Sequence, residues 1–251
     1  VRLAVAGSTG RMGRMVIEAA LETAGVTLAA ALEGPGHPLL GTDCGAFLGR
    51  NTGVSISSDL AALAGCDALI DFTRPAGTLT HLAACEAHGV AMVVGTTGFD
   101  ADGRDRLQAA ATRIPLLVAP NLSAGVQVLA RLVALAAGML GDDYDLEIVE
   151  MHHRDKVDAP SGTALMLGEV AAQARGQRLD DVAVLSREGH TGARQRGAIG
   201  FATLRGGDVV GDHSVVLAGA GERIEITHRS GSRRAYAVGA LRGARFLCGR
   251  A

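Results

Sequence analysis

Tryptophan is absent from this chain, and aromatic residues make up only 3% of it. Few flat faces are therefore available for bases to stack on. Charge of one sign is missing as well: 24 basic residues face 26 acidic ones, for a formal net charge of -2. The basic residues are dispersed, which leaves no electrostatic reason to expect nucleic acid or an anionic membrane as partner. The four cysteines, Cys44, Cys66, Cys85 and Cys248, are far apart, with no CxxC pair and no metal-ligand spacing. They read as buried or incidental thiols of a reducing compartment. The longest apolar stretch, Val126 to Leu140, is interrupted by Arg131 and reads as too short to span a bilayer. No signal peptide precedes the first strand, so a cytoplasmic protein is the expectation. Lysine is the most telling scarcity: Lys156 is the only one in the chain.

The first half alternates short apolar runs with amphipathic stretches. Strands are expected at Arg2–Ala6, Val26–Leu32, Val54–Ser57, Ala68–Asp71, Ala91–Val94 and Leu116–Ala119, with helices at Arg11–Thr23, Pro75–His88 and Asp102–Thr112. Apolar runs of this kind, separated by helices, argue for a parallel sheet covered on both faces. After Pro120 the rhythm changes. A helix from about Ser123 to Leu140 leads into the strand "YDLEIVEMHH", and a second helix spans about Ser161 to Arg175. Three strands then follow without helices between them: "AIGFATLR", "HSVVLAG" and "RIEITHR". The expected fold is an α/β chain: a Rossmann-type doubly wound parallel sheet plus a second α+β domain with a mixed, open sheet. The domains are expected at 1–123 (dinucleotide binding, completed by a helix in 233–251) and 124–232 (substrate binding and oligomerisation).

The segment "AGSTGRMGR" places Gly7, Gly10 and Gly13 after a strand and at the opening of a helix. Glycine there permits a tight turn and close approach of backbone to a pyrophosphate, held by the helix N-terminus. Glu33 stands at the end of the second strand, 20 residues beyond Gly13, where a carboxylate can accept ribose hydroxyls. The tips "DFTRP", "GTTGF" and "APNLS" follow later strands, at the edge where open α/β sheets bind ligands. For Thr73, helix capping and cofactor contact remain alternatives. Gly95 to Thr97 favour the cofactor, since no helix starts there at once.

The lysine lies in "MHHRDKVDAPSGT". A lysine is a compact ammonium whose pKa moves readily, which arginine cannot match. Ser161 is expected to cap a helix whose first residues, Gly162 and Thr163, present free backbone N–H groups. Around it stand His152, His153, Arg154 and Lys156, a local positive cluster in a net negative chain. The chemistry indicated is a pocket for a small carboxylate with proton donors beside it. Arg154 and Asp155 read as solvated loop charges. Two adjacent histidines without cysteine or HExxH lack zinc-ligand spacing, so no metal is expected.

Taken together, "GSTGRMGR", "DFTRP", "GTTGF", "HHRDKVDAPSGTA", "SREGHTG", "GFATLRGGDVVGDH" and "ERIEITHR" resemble the 4-hydroxy-tetrahydrodipicolinate reductase (dihydrodipicolinate reductase) family end to end. That resemblance implies reduction of a cyclic dicarboxylate by NADH or NADPH in the diaminopimelate route to lysine, by a homotetramer joined through sheets of the second domain. It assigns Gly7, Ser8, Thr9, Gly10, Arg11 and Met12 to the pyrophosphate and Glu33 to the adenosine ribose. Gly95, Thr96, Thr97, Ala119, Pro120, Asn121 and Leu122 fall on the nicotinamide side. His152 takes the acid/base role, Lys156 donates a proton, and His153, Gly162 and Thr163 bind the substrate carboxylate. Some members carry a basic residue after the ribose-binding acid; here Gly34 and Pro35 follow it. A lean toward NADH is expected, with Arg11 still in reach of a 2′-phosphate. "FLCGRA" ends the sequence short of the tail many relatives carry. Arg187 and His190 of "SREGHTG" are expected to have structural roles. The rival readings are another two-domain amino-acid dehydrogenase and a sensor that has lost catalysis, for which loss of His152 or Lys156 would be the mark.

Overall fold

The computed structural model describes residues 1–248. The last three residues of the helix region expected to rejoin the first domain therefore lie outside the described residues. The chain divides into two compact units, one of Val1–Ser123 with the segment from Arg233 onward, the other of Ala124–Ser232.

In the first unit the elements run β1 (Arg2–Ala6), α1 (Arg11–Leu21), β2 (Thr27–Leu32), β3 (Ile56–Ser57), β4 (Ala68–Asp71), α2 (Pro75–His88), β5 (Ala91–Val94), α3 (Ala101–Ala110) and β6 (Leu116–Val118). The sheet order is β3-β2-β1-β4-β5-β6, all parallel. Strand order reverses beside β1, the place where such sheets open a ligand crevice. Period-2 alternation explains why both faces are covered. Leu3 and Val5 of β1 join one apolar cluster while Ala4 and Ala6 join another. Ala91 and Val93 of β5 divide from Met92 and Val94 in the same way. Pro75 opens α2, where its missing N–H costs nothing, and Gly89 ends it in the left-handed region. The third strand is shorter than its apolar run because residues 41–54 spend their hydrogen bonds in a loop pinned by Asp43.

The second unit runs α4 (Ala124–Leu140), β7 (Asp145–His152), α5 (Gly162–Ala174), α6 (Leu179–Val182), β8 (Ala183–Val184), β9 (Ile199–Arg205), β10 (Gly211–Ala218) and β11 (Arg223–Ser230). Helix α7 (Arg234–Cys248) belongs to the first unit, where it packs on α1 and β5. The five-stranded sheet has the order β11-β10-β7-β9-β8 and is mixed: β10 pairs antiparallel with β7 and β11, whereas β9 runs parallel to β7 and β8. Helices α4 and α5 bury Leu129, Val133, Leu167 and Ala171 against one face.

The expectation that the apolar run falls short of a bilayer span needs correction. Helix α4 with its short extension, Ala124–Asp143, is the single helix among the described residues that meets the length and composition of a membrane span. The extension past Leu140 adds the missing length. The buried stripe of α4 packs on this unit's core.

On the core face of β7 the buried row begins with Leu146 and Ile148 and continues with Glu150 and His152. The row in β10 does the same, from Leu217 and Val215 to His213. One end of the sheet is thus apolar and the other ionic, and the N-terminus of α5 follows directly on the loop that leaves the ionic end. This gradient places the chemistry.

Candidate functional site

Gly7 has φ +62°, a conformation that side chains with a Cβ seldom adopt. Gly13 is required for a different reason: a Cβ there would lie 2.0 Å from the Gly7 carbonyl oxygen. The two glycines let α1 start tight against the end of β1. Gly10 is its N-cap and no side chain caps the helix, so the first N–H groups stay available to an anion. Ser8 Oγ is buried with no partner in the protein. These features fit a dinucleotide pyrophosphate.

Glu33 is held from the same loop. Thr9 donates to its Oε1 from both the backbone N–H, 2.9 Å, and the hydroxyl, 2.6 Å. Burial works to raise the Glu33 pKa, yet the Thr9 and Gly34 hydrogen bonds outweigh it and hold the carboxyl below its ordinary value. It stays ionised, with lone pairs left for ribose hydroxyls. Gly7, Glu33 and Gly34 line a cavity of about 470 Å³ together with Arg74 and His81. Met12 lines a second one, about 230 Å³, with Ala119, Pro120, Asn121 and Leu122. Arg11, the first residue of α1, is exposed.

The segment Gly95 to Thr97 is placed by something the sequence reading did not weigh. Gly95 lies against the Phe72 ring, which a Cβ would approach to 2.1 Å. Thr96 is buried and donates to Asp71, whereas Thr97 is exposed. Asp71 is fully buried and gathers this edge: it accepts from Thr73 and Thr78 as well, and His81 Nδ1 stands 2.6 Å away. Burial pushes the Asp71 pKa up, but His81 and the Thr73 hydrogen bonds prevail and hold it below the ordinary carboxylate value. Thr73 is therefore a partner of Asp71 rather than the cap of α2, which has no side-chain cap.

In the second unit the segment His152 to Thr163 is organised by Glu150, which is 1% exposed. Its Oε2 accepts from His152 Nδ1 at 2.6 Å and from Arg205 at 2.8 Å. Its Oε1 accepts from the Ser161 N–H and from Arg205, both at 3.0 Å. Ser161 caps α5 by accepting from the Ala164 N–H, 3.1 Å, and its hydroxyl also meets His213 Nε2 at 3.0 Å. The N–H groups of Gly162 and Thr163 form the start of this helix, and Thr163 is buried. Lys156 is half-buried in an ion pair with both oxygens of Asp158, 2.8 and 2.9 Å. Arg205 also donates to the Asp158 carbonyl at 2.7 Å and so holds the lysine loop. His153, one residue past the strand, is half-buried, while Arg154 and Asp155 are exposed. Burial lowers the His152 pKa more than Glu150 raises it, so the ring is neutral near pH 7. Burial pushes His213 down to about 4, with His152 adding to the effect.

The structure thus brings His152, Lys156 and Ser161 to one end of one sheet. Sequence reasoning missed Glu150, Arg205 and His213. A signal for Glu150 was present: it continues, at period 2, the buried row of Leu146 and Ile148. Arg187 makes a two-pronged ion pair with Glu147, both bonds 2.8 Å, and His190 is exposed. Among the described residues no cluster of three metal-ligating side chains occurs.

Two family models cover the chain. The N-terminal model of dihydrodipicolinate reductase matches residues 1–122 and the C-terminal model matches 125–251. The chain belongs to the dihydrodipicolinate reductase family. Among curated relatives, the 4-hydroxy-tetrahydrodipicolinate reductase of Cupriavidus taiwanensis is 60% identical over 98% of this chain and 94% of its own. That of Herminiimonas arsenicoxydans is 57% identical over 98% and 92%. Dipicolinate-bound dihydrodipicolinate reductase from Paenisporosarcina sp. TG-14 shares the fold, with a TM-score of 0.75 at 24% identity over 99% of this chain and 95% of that one. An amine dehydrogenase from Mycobacterium smegmatis does so at TM-score 0.60 and 16% identity, covering 98% and 92%. The fold alone does not separate dihydrodipicolinate reductases from other two-unit dehydrogenases; the sequence relationship does.

Proposed function

We propose that this chain reduces 4-hydroxy-tetrahydrodipicolinate to tetrahydrodipicolinate in the diaminopimelate route to lysine, with His152 and Lys156 as its acid/base pair. It is an NAD(P)H-dependent oxidoreductase. In balance, the substrate loses water, gains a hydride at ring carbon and a proton, and the nicotinamide leaves oxidised. The observation that carries the residue assignment is the meeting of His152, the lysine loop, held through Arg205, and the Ser161 cap of α5 around one buried carboxylate.

The cofactor, when bound, supplies the hydride. The residues suited to hold it are Gly7 to Met12 and Glu33, with Ala119 to Leu122 and the Gly95 to Thr97 edge toward the nicotinamide. The residues suited to a dicarboxylate are His153, Gly162 and Thr163, because a helix N-terminus offers donors and dipole to the same anion. Lys156 exchanges Asp158 for that anion and places a proton donor and a point charge at the ring. NADH is the preferred donor: Gly34 and Pro35 offer no cation after Glu33, whose charge opposes a 2′-phosphate. Arg11 and Arg74 keep NADPH usable.

The second sheet supports a homotetramer. Its face opposite the helices carries Val149, Met151, Val216 and Leu204, alternate to the buried rows, and Leu204 is 46% exposed. Sedimentation showing a monomer at micromolar concentration would reject this assembly. The reaction is tested by supplying the condensation product of pyruvate and aspartate semialdehyde with NADH and NADPH side by side. Oxidation of neither would reject the function.

A further inference from the structure

A carboxylate taken fully out of water is costly unless every lone pair is used. Glu150 meets that condition through four bonds, two per oxygen, from His152, Arg205 twice and the Ser161 N–H. It is ionised: burial raises its pKa, but Arg205, His152 and Ser161 together bring it below the ordinary value. An ionised carboxylate only accepts, so the His152 nitrogen facing it must be the donor. That leaves Nε2 without the proton and free to take one. The register reinforces the arrangement, since Arg205 of β9 lies beside His152 of β7, and His213 of β10 lies opposite Glu150. The His213 ring meets that of His152 edge-on, 5.1 Å between centroids.

We propose that Glu150 is the positioning residue of the substrate site: it fixes the Nδ1–H tautomer of His152 and, with Arg205, ties the lysine loop and the first turn of α5 to one buried anion. The inference rests on the reading that His152 works on the substrate and adds how that ring is held. Unlike a pair of surface charges, this arrangement couples three parts of the site. His152 is oriented from behind, Ser161 is anchored at the mouth of α5, and the 156–158 loop hangs on Arg205 through the carbonyl of Asp158.

Glu150→Gln makes the test sharp. The amide keeps the shape but turns one acceptor into a donor. Arg205 donates to both positions and so favours neither, but on one side the second partner is the fixed donor Ser161 N–H, whereas on the other His152 can exchange its proton between nitrogens. The amide NH2 therefore turns to His152, which must move its proton to Nε2, the wrong tautomer for accepting one. The expected result is a kcat lowered roughly 10–100-fold. The limb of the pH–rate profile that belongs to His152 moves to lower pH by about a unit, because an opposite charge that favoured the imidazolium is gone. The groups facing His152 are Glu150 on its own strand, Lys156 of the loop, Arg205 of β9 and His213 of β10. His228 of β11 lies opposite His213 and Asp158 pairs with Lys156, so Arg205→Met and His213→Gln serve as controls for the other charges. A residue with only a structural role would leave the pH limb in place.

Nitrogen-15 spectra of histidine-labelled, unaltered protein at pH 8 give a second measurement that needs no variant. A proton on His152 Nδ1 supports the inference, and a proton on Nε2 overturns it. An inactive His152→Ala beside a Glu150→Gln of unchanged kcat and pH profile overturns this inference alone. A fully active His152→Ala removes the assignment of His152, and this inference with it.

Discussion

Each unit holds one buried carboxylate facing a histidine Nδ1 at 2.6 Å: Asp71 with His81, and Glu150 with His152. Their remaining partners differ in kind. Asp71 is surrounded by neutral donors, the hydroxyls of Thr73, Thr78 and Thr96 and the Thr73 N–H. Glu150 has a guanidinium and the N–H at a helix mouth. Neutral donors hold loop tips still without adding net charge, which suits a surface that receives a large cofactor through backbone contacts. The Arg205 guanidinium balances the Glu150 charge and Lys156 pairs with Asp158, so on the proposed reading the lysine charge meets a dianion only as it leaves Asp158. On that reading the two similar pairs serve different ends: one fixes shape, the other fixes the position of a proton.

The largest expected effect separates the two pairs directly. His152→Ala lowers kcat by roughly 10²–10⁴-fold, the range of a lost acid/base group, whereas His81→Ala lowers kcat less than tenfold and acts mainly on cofactor affinity. Equal losses from both variants in steady-state kinetics would erase the distinction. Next in size is Gly13→Ala. Its Cβ would stand 2.0 Å from the Gly7 carbonyl, so the backbone must shift, at a cost of about 1–3 kcal/mol in stability. Calorimetry should find NADH affinity reduced while dipicolinate affinity is retained; the reverse pattern would misplace the cofactor loop.

A stability measurement tests the ionic end of the second sheet. His213 has its pKa pushed from an ordinary 6.5 to about 4 by burial and by His152. Between those values the unfolded chain binds a proton that the folded chain refuses. The stabilisation is therefore complete above pH 6.5 and is lost as the pH falls toward 4, by roughly 3 kcal/mol. His152, lowered by burial, acts in the same direction, while Asp71 and Glu150 add their losses only below their ordinary carboxylate values. Urea midpoints between pH 7 and pH 5 should fall, and His213→Gln should flatten that decline. The smallest effect concerns the nucleotide. Gly34 has open space where a Cβ would go, so Gly34→Arg is tolerated and shifts the NADPH/NADH ratio of kcat/KM upward by about tenfold through a charge-assisted contact. An unmoved ratio would place the 2′-phosphate elsewhere, with Arg11 or Arg74.

Much of this was legible in the sequence because its causes are local. Alternation of apolar residues announces strands covered on both faces, as Leu3, Ala4, Val5 and Ala6 do. Glycines at Gly7 and Gly13 mark a turn and a close approach, and residues 152–163 form one contiguous segment. What stayed hidden depends on register between distant strands. Arg205 is 55 residues from Glu150 and His213 is 52 from Ser161, and only the pairing of β7 with β9 and β10 makes them neighbours. Gly95 was legible as special but not for its reason, since the Phe72 ring that demands it lies on another strand's tip. The end of α4 at Leu140 was legible, whereas the 3-10 turn Gly141–Asp143 that lengthens the helical stretch was not.

Lys156→Arg at saturating NADH is the most direct trial of the central claim. The substitution keeps the positive charge, so the variant should bind NADH within about twofold of the unaltered protein. It should nonetheless lose at least a hundredfold in turnover, because a guanidinium neither fits as a point charge nor yields its proton. Turnover equal to that of the unaltered protein would contradict the account.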